Sequence, residues 1–169
     1  MPLINPTLND SLDRFTTAQT PVYQRVLDEL RAGKKTTQWM GFIFPQLRGL
    51  GHSSTGEFFG LKDIAEARAF LAHDTLGPRL RQCSGILLTI GNHSAYKVFG
   101  SPDDLKLCSS MTLFASIAEE NSPFVEVLRK YFPNQPFQHQ PAQAKPAQDK
   151  QAVANTPDLS PDPETPQTA

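Results

Sequence analysis

Along residues 9–132 apolar side chains return every three or four positions, and the breaks between runs carry helix caps, so the chain reads as a succession of helices. No run alternates as a strand would. Asn9 or Asp10 is placed to cap a first helix carrying Leu12 and Phe15, which ends before Thr20. Thr20 then caps a second, with Pro21 at its first position, Val22, Val26, Leu27 and Leu30 on one face and Gly33 as its stop. Thr37 to Phe44 is dense in aromatic residues and ends against Pro45. Its length suits a buried strand or a helix, and the lack of a partner strand favours helix. Arg48 to Gly60, with four glycines and two serines, reads as a loop with a short turn near Glu57 to Phe59.

Asp63 and Glu66 have capping-box spacing and open a helix with Ile64, Ala67, Phe70 and Leu71 inward. Pro78 starts another, with Leu80, Cys83, Leu87 and Leu88 at helical spacing and Gly91-Asn92 at its end. A short helical piece follows over Ser94 to Phe99. Gly100 is placed to close it, Ser101 to cap the next helix and Pro102 to occupy the first helical position, with Asp103 and Asp104 in the first turn, where the helix dipole favours carboxylates. That helix runs to about Ala118. Ser122-Pro123 repeats the cap-plus-proline start, ahead of the stripe Phe124, Val127, Leu128 and Tyr131. The expected architecture is all-α, a compact single-domain bundle of about six or seven helices.

Composition breaks the pattern after Phe132. Residues 133–169 hold eight of the fifteen prolines and seven glutamines, with only Phe137, Val153 and Leu159 as large apolar side chains, too few to offset the entropy of ordering. The expected organisation is a flexible N-terminus over 1–8, a helical domain over 9–134 and a disordered Pro/Gln-rich tail over 135–169. Residues 1–132 carry 14 Lys and Arg against 13 Asp and Glu, and the remainder 2 against 4. Such balance argues against a nucleic-acid or membrane partner, because both need a basic face. Arg31, Lys34, Lys35 and Arg48 are the local exception, and a cationic helix C-terminus accounts for the first three. With neither a secretory leader nor an apolar run of about 20 residues, a cytoplasmic protein is expected. Cys83 and Cys108 fall at apolar helical positions and read as reduced thiols.

Candidate chemistry gathers on the helix after Ser101. At 100° per residue Asp103, Lys106 and Ser110 share a sector that Leu113 and Ile117 continue, so a polar network joined by Ser109 and Thr112 sits at one end of the core or lines a pocket. The plainer alternative is a surface Asp103–Lys106 pair at i, i+3. A phosphate site is disfavoured because Asp103 and Asp104 already place negative charge at the helix start. Lys106 with Ser109 or Ser110 has workable spacing for a nucleophile pair, though spacing alone supplies no oxyanion hole. His52, His73, His93 and His139 are scattered and pair with no second ligand, so no metal and no cofactor is expected. Gly49-Leu-Gly51 has Ser54 in place of the third glycine of a dinucleotide fingerprint and no strand before it. Trp39, Phe42 and Phe44 are suited to stacking a base or sugar, or simply to core.

Trp39-Met-Gly-Phe-Ile-Phe-Pro-Gln46 and Gly100-Ser-Pro-Asp-Asp-Leu-Lys-Leu-Cys-Ser-Ser-Met-Thr-Leu-Phe114, with Leu12-Asp-Arg-Phe15, Ala18-Gln19, Val22-Tyr23, Ala65-Glu-Ala-Arg68 and Leu76-Gly-Pro-Arg79, closely resemble the DUF1810 family. The resemblance spans about residues 10–134 and implies a mainly α-helical domain of unknown function with no established catalytic residue to transfer. Some members carry the label calpastatin, which suits short disordered inhibitory motifs rather than a globular domain. The resemblance also implies His at position 38, Trp at 41 and Arg at 108, where this chain has Gln38, Gly41 and Cys108.

Two functions are compatible with the residues. One is a ligand-binding domain whose pocket for a small polar ligand is formed by Trp39, Gln46, Asp103, Lys106, Ser109 and Ser110. The other is a helical module that binds a protein partner and has no catalytic activity. Whether the chain is an enzyme is left open by the sequence.

Overall fold

The computed structural model describes residues 6–50 and 53–135, with side chains from Leu12 onward. The N-terminal five residues and all but the first residue of the expected tail lie outside the described residues. Nine α-helices are present among those described: α1 (Pro6–Gln19), α2 (Tyr23–Arg31), α3 (Met40–Ile43), α4 (Ser54–Phe59), α5 (Ile64–Ala72), α6 (Leu76–Thr89), α7 (Ala95–Phe99), α8 (Asp103–Ile117) and α9 (Pro123–Tyr131). The all-α expectation holds, but the helices are more numerous and shorter than six or seven. Among the described residues the sole β feature is an isolated parallel bridge between Leu47 and Leu61.

Several helix starts follow the predicted chemistry. Asp63 accepts the Glu66 N–H at 2.8 Å, Ser94 accepts that of Lys97 at 3.0 Å, and the buried Ser122 accepts that of Val125 at 3.5 Å with Pro123 in the first turn. Gly33 and Gly100 end α2 and α7 with φ of 75° and 73°, a conformation in which an added side chain would be strained.

Several boundaries differ from expectation: α6 begins at Leu76, two residues before Pro78, and only Met40–Ile43 of the stretch from Thr37 to Phe44 is helical. The first helix begins at Pro6, before either proposed cap. Thr20–Val22 is a 3₁₀ turn running straight on from α1, and the Thr20 hydroxyl makes no cap; it accepts a bond from Arg79 instead. The glycine-rich loop contains α4, because Ser53 accepts the Gly56 N–H at 2.9 Å and so supplies a cap that the glycines obscured. Ser101 does not cap α8: Pro102 occupies the N-cap position, and the Asp104 carboxylate accepts the Leu105 N–H at 2.9 Å.

Packing is organised around α8, whose Leu107, Met111, Phe114 and Ala115 are fully buried. Aromatic rings run through the core from Phe15 to Phe70, Phe114 and Phe124, with successive centroids 4.9, 5.6 and 5.8 Å apart. A second aromatic group joins Trp39, Phe44 and Phe99 at 6.0 to 6.3 Å, fastening α3 to α7. Cys83 is buried and free, and burial pushes its thiol up to about 12; Cys108 is half-buried and free. No helix among the described residues is long and apolar enough to cross a membrane.

Candidate functional site

The short helices α3 and α4 and the start of α8 enclose a cleft of about 270 Å³. Its formation begins in the strap between α2 and α3. The strap leaves α2 at Gly33, and the Lys35 N–H donates to the Val98 carbonyl at 2.7 Å, which lays the strap along α7. Lys35 then turns its ammonium inward, 2.8 Å from Asp103 Oδ2 and 5.3 Å from the centre of the Trp39 ring. Only 5% of its side chain is exposed.

Glu29 holds the other face of the strap. Its buried carboxylate accepts the Thr36 N–H at 2.7 Å, the Thr37 N–H at 3.1 Å, the Thr37 hydroxyl at 2.6 Å and the Trp39 indole N–H at 2.9 Å. Burial alone would raise its pKa, but these four donors outweigh burial and hold it at about 2. Trp39 is thereby oriented by an ionised group at its N–H and a cation near its ring.

The short helix α3 follows at once and ends because Pro45 disfavours a helical conformation at Phe44. Gln19, itself buried, donates to the Phe42 carbonyl at 2.7 Å and pins the end of α3 to α1. The Leu47–Leu61 bridge then returns the chain, with the Leu61 N–H donating to the Gln46 carbonyl at 2.9 Å. Arg14 fixes the α4 wall, donating to the carbonyls of Phe58 at 2.9 Å and Gly60 at 3.1 Å while pairing with the buried Glu66. Gly60 is itself required, since a Cβ there would stand 2.6 Å from the Arg48 Cα.

Four of the six residues expected at the site line this cleft: Trp39, Gln46, Asp103 and Lys106. Ser109 and Ser110 do not. Ser110 is fully buried one turn deeper on α8, and its hydroxyl has no hydrogen-bond partner, so it makes no nucleophile pair with Lys106. The Asp103–Lys106 pair exists at 3.6 Å, longer than the Lys35–Asp103 contact that sequence spacing did not suggest. Lys35, read from the sequence as part of a cationic helix C-terminus, lies beyond α2, which ends at Arg31, and is a buried partner of Asp103 instead; it and Glu29 act across elements, which helical spacing does not register. Gln38 and Gly41, two of the three departures from the resembled pattern, also line the cleft, together with Ser53 and Thr55.

The remaining motifs have structural explanations. His73 accepts the N–H groups of Thr75 and Leu76 and so caps α6, while His93 packs against Gly33; His52 and His139 lie outside the described residues. Among the described residues no group of three His, Cys, Asp or Glu is placed to hold a metal ion. Gly49 is a loop residue with φ of 98°. Trp39 and Phe44 are buried core, and Phe42 is the half-buried ring that faces the cleft.

A family model described as "Protein of unknown function (DUF1810)" matches residues 9–142. The crystal structure of the conserved hypothetical protein Rv1873 from Mycobacterium tuberculosis is similar to this chain, with 52% identity and a TM-score of 0.70. The match covers 72% of this chain and 87% of that one. Comparison with curated proteins gives no match.

Proposed function

Because the chain belongs to the DUF1810 family, whose description carries no reaction, we propose a function from the cleft itself: it binds a small polar ligand between α3, α4 and the start of α8. One observation carries the reading. Trp39 and Gln46 on one stretch of chain and Asp103 and Lys106 on another line one concavity, with Trp39 held by its bond to Glu29 and Asp103 by its pair with Lys35. Pre-ordered polar groups in a concave, partly apolar setting are the usual makings of a ligand site.

The volume of about 270 Å³ lies at or below the roughly 300 Å³ from which drug-sized sites begin, so a small metabolite fits better than a large cofactor. The test is a thermal-shift screen of small polar metabolites. A stabilising compound whose effect is lost in both Lys106→Ala and Gln46→Ala supports the reading, and the absence of any such compound refutes it. The interaction-module reading draws on the exposed Leu50, Phe58, Tyr96 and Leu105, but single exposed apolar side chains are ordinary on a protein surface.

A further inference from the structure

We infer that the ligand of this cleft carries one carboxylate, which pairs with Lys106. This deepens the proposed function and rests on it. Among the described residues the charged groups that line or back the cleft are Lys35, Asp103 and Lys106; the Asp104 carboxylate, in the same first turn of α8, does not line it and accepts the Leu105 N–H. Among the described residues Asp103 is the sole carboxylate lining the cleft, and Lys35 occupies one of its oxygens at 2.8 Å. Its other oxygen is 3.6 Å from the Lys106 ammonium, beyond hydrogen-bond reach. Two cations therefore share one anion, and the surplus positive charge sits on Lys106.

Lys106 is also the cation that a ligand can reach. Its side chain is 34% exposed, against 5% for Lys35. Among the described residues its three N–H donors meet no protein acceptor within hydrogen-bond distance, and the side chains of Gln46 and of the exposed Gln38 and Thr55, which line the same cleft, make no hydrogen bond to protein. The cleft thus offers an uncommitted ammonium, two uncommitted amides and a hydroxyl, beside Phe42 and Met40 as apolar surface. An acid group on a compact, partly apolar body meets all of these.

The number of charges is limited too. A single surplus cation neutralises a monoanion, whereas a phosphate dianion would keep an uncompensated charge close to Asp103. Among the described residues no arginine lines the cleft to offer the paired donors that favour phosphate. The chemistry matched is a small monocarboxylate.

Trp39 is the only tryptophan in the sequence and lines the cleft, so its emission reports occupancy of this site. The probes are benzene, pyridine and cyclohexane rings, each carrying a carboxylate, a primary amide or a phosphate. The expected result is that carboxylates bind about tenfold more tightly than their amides, as a charge-assisted bond in place of a neutral one implies. That preference disappears in Lys106→Gln and persists in Lys97→Gln, which lies away from the cleft. Amides binding as tightly as carboxylates would overturn the acid assignment and leave the cleft reading standing. Preferred binding of the phosphates would overturn it in favour of a dianion. If no probe of any class changes Trp39 emission or the melting temperature, both the assignment and the ligand site fall.

Discussion

Lys35 Nζ lies 2.8 Å from Asp103 Oδ2, joining the strap after α2 to the first turn of α8 across 68 positions of sequence. The pair is largely buried, at 5% and 17% side-chain exposure, so the two charges depend on each other more than a surface pair would. Asp103→Asn is expected to cost about 3 kcal/mol in urea unfolding because it leaves the Lys35 ammonium buried without its carboxylate. The double variant Lys35→Met/Asp103→Leu should recover most of that loss. Additive losses in the double-variant cycle would show that the two residues act independently.

Glu29 makes the fold sensitive to acid. Its carboxyl is held at about 2, below the ordinary 4.5, by the donors of Thr36, Thr37 and Trp39. A group depressed in the folded state contributes its stability fully above the unfolded pKa and loses it as pH falls through the folded one, here between about 4.5 and 2. The contribution at neutral pH is on the order of 3 kcal/mol. Urea unfolding as a function of pH should show that decline in the native protein, and Glu29→Gln should flatten it. An unchanged slope in Glu29→Gln would place the acid sensitivity elsewhere.

The wall formed by α4 depends on Arg14. Replacing it with Met removes the donors to Phe58 and Gly60 and leaves the buried Glu66 carboxylate without the guanidinium. A loss of about 3 kcal/mol is expected, with faster amide exchange concentrated in residues 54–60. Exchange that rises evenly through the domain would contradict a local role.

Gly41 lines the cleft, and a Cβ added there meets nothing closer than the Thr55 methyl at 3.8 Å. The resemblance implies Trp at this position. Gly41→Trp should fold with a melting temperature within a few degrees of the parent, since room exists on the cleft side, yet weaken binding of any cleft ligand at least tenfold by filling the space. Calorimetric titration checks the second part. Undiminished affinity would move the binding site away from α3.

How far the sequence revealed these features follows from how local each one is. Ser122-Pro123, Asp63 with Glu66, and the glycines at 33 and 100 were legible because a cap or a positive φ is settled within four residues. The helix α4 was missed although Ser53 supplies its cap, since four glycines between 48 and 60 outweighed one hydroxyl. Ser101 misled for a related reason: the Asp104 N–H that it would have capped donates to the Gly100 carbonyl at 2.8 Å instead. The cleft was partly legible, because Trp39, Gln46, Asp103 and Lys106 stood out as polar or aromatic residues in two dense motifs. Its supports were not. Nothing in the spacing of Glu29, Lys35 or Arg14 signals partners seven to sixty-eight positions away, and Ser110 shares a helical face with Lys106 yet points deeper into the core.

The central claim is that the cleft beside Trp39 binds a ligand, and the indole N–H of Trp39 tests it most directly. As the sole tryptophan it gives one indole signal in a ¹H–¹⁵N spectrum, and its donor bond to Glu29 makes that signal sensitive to any shift of the strap. Titration with the ring carboxylates should move the signal saturably, together with the amides of Gly41, Gln46 and Lys106. A Trp39 signal that stays fixed at saturating probe, while resonances elsewhere move or none move at all, would contradict the account.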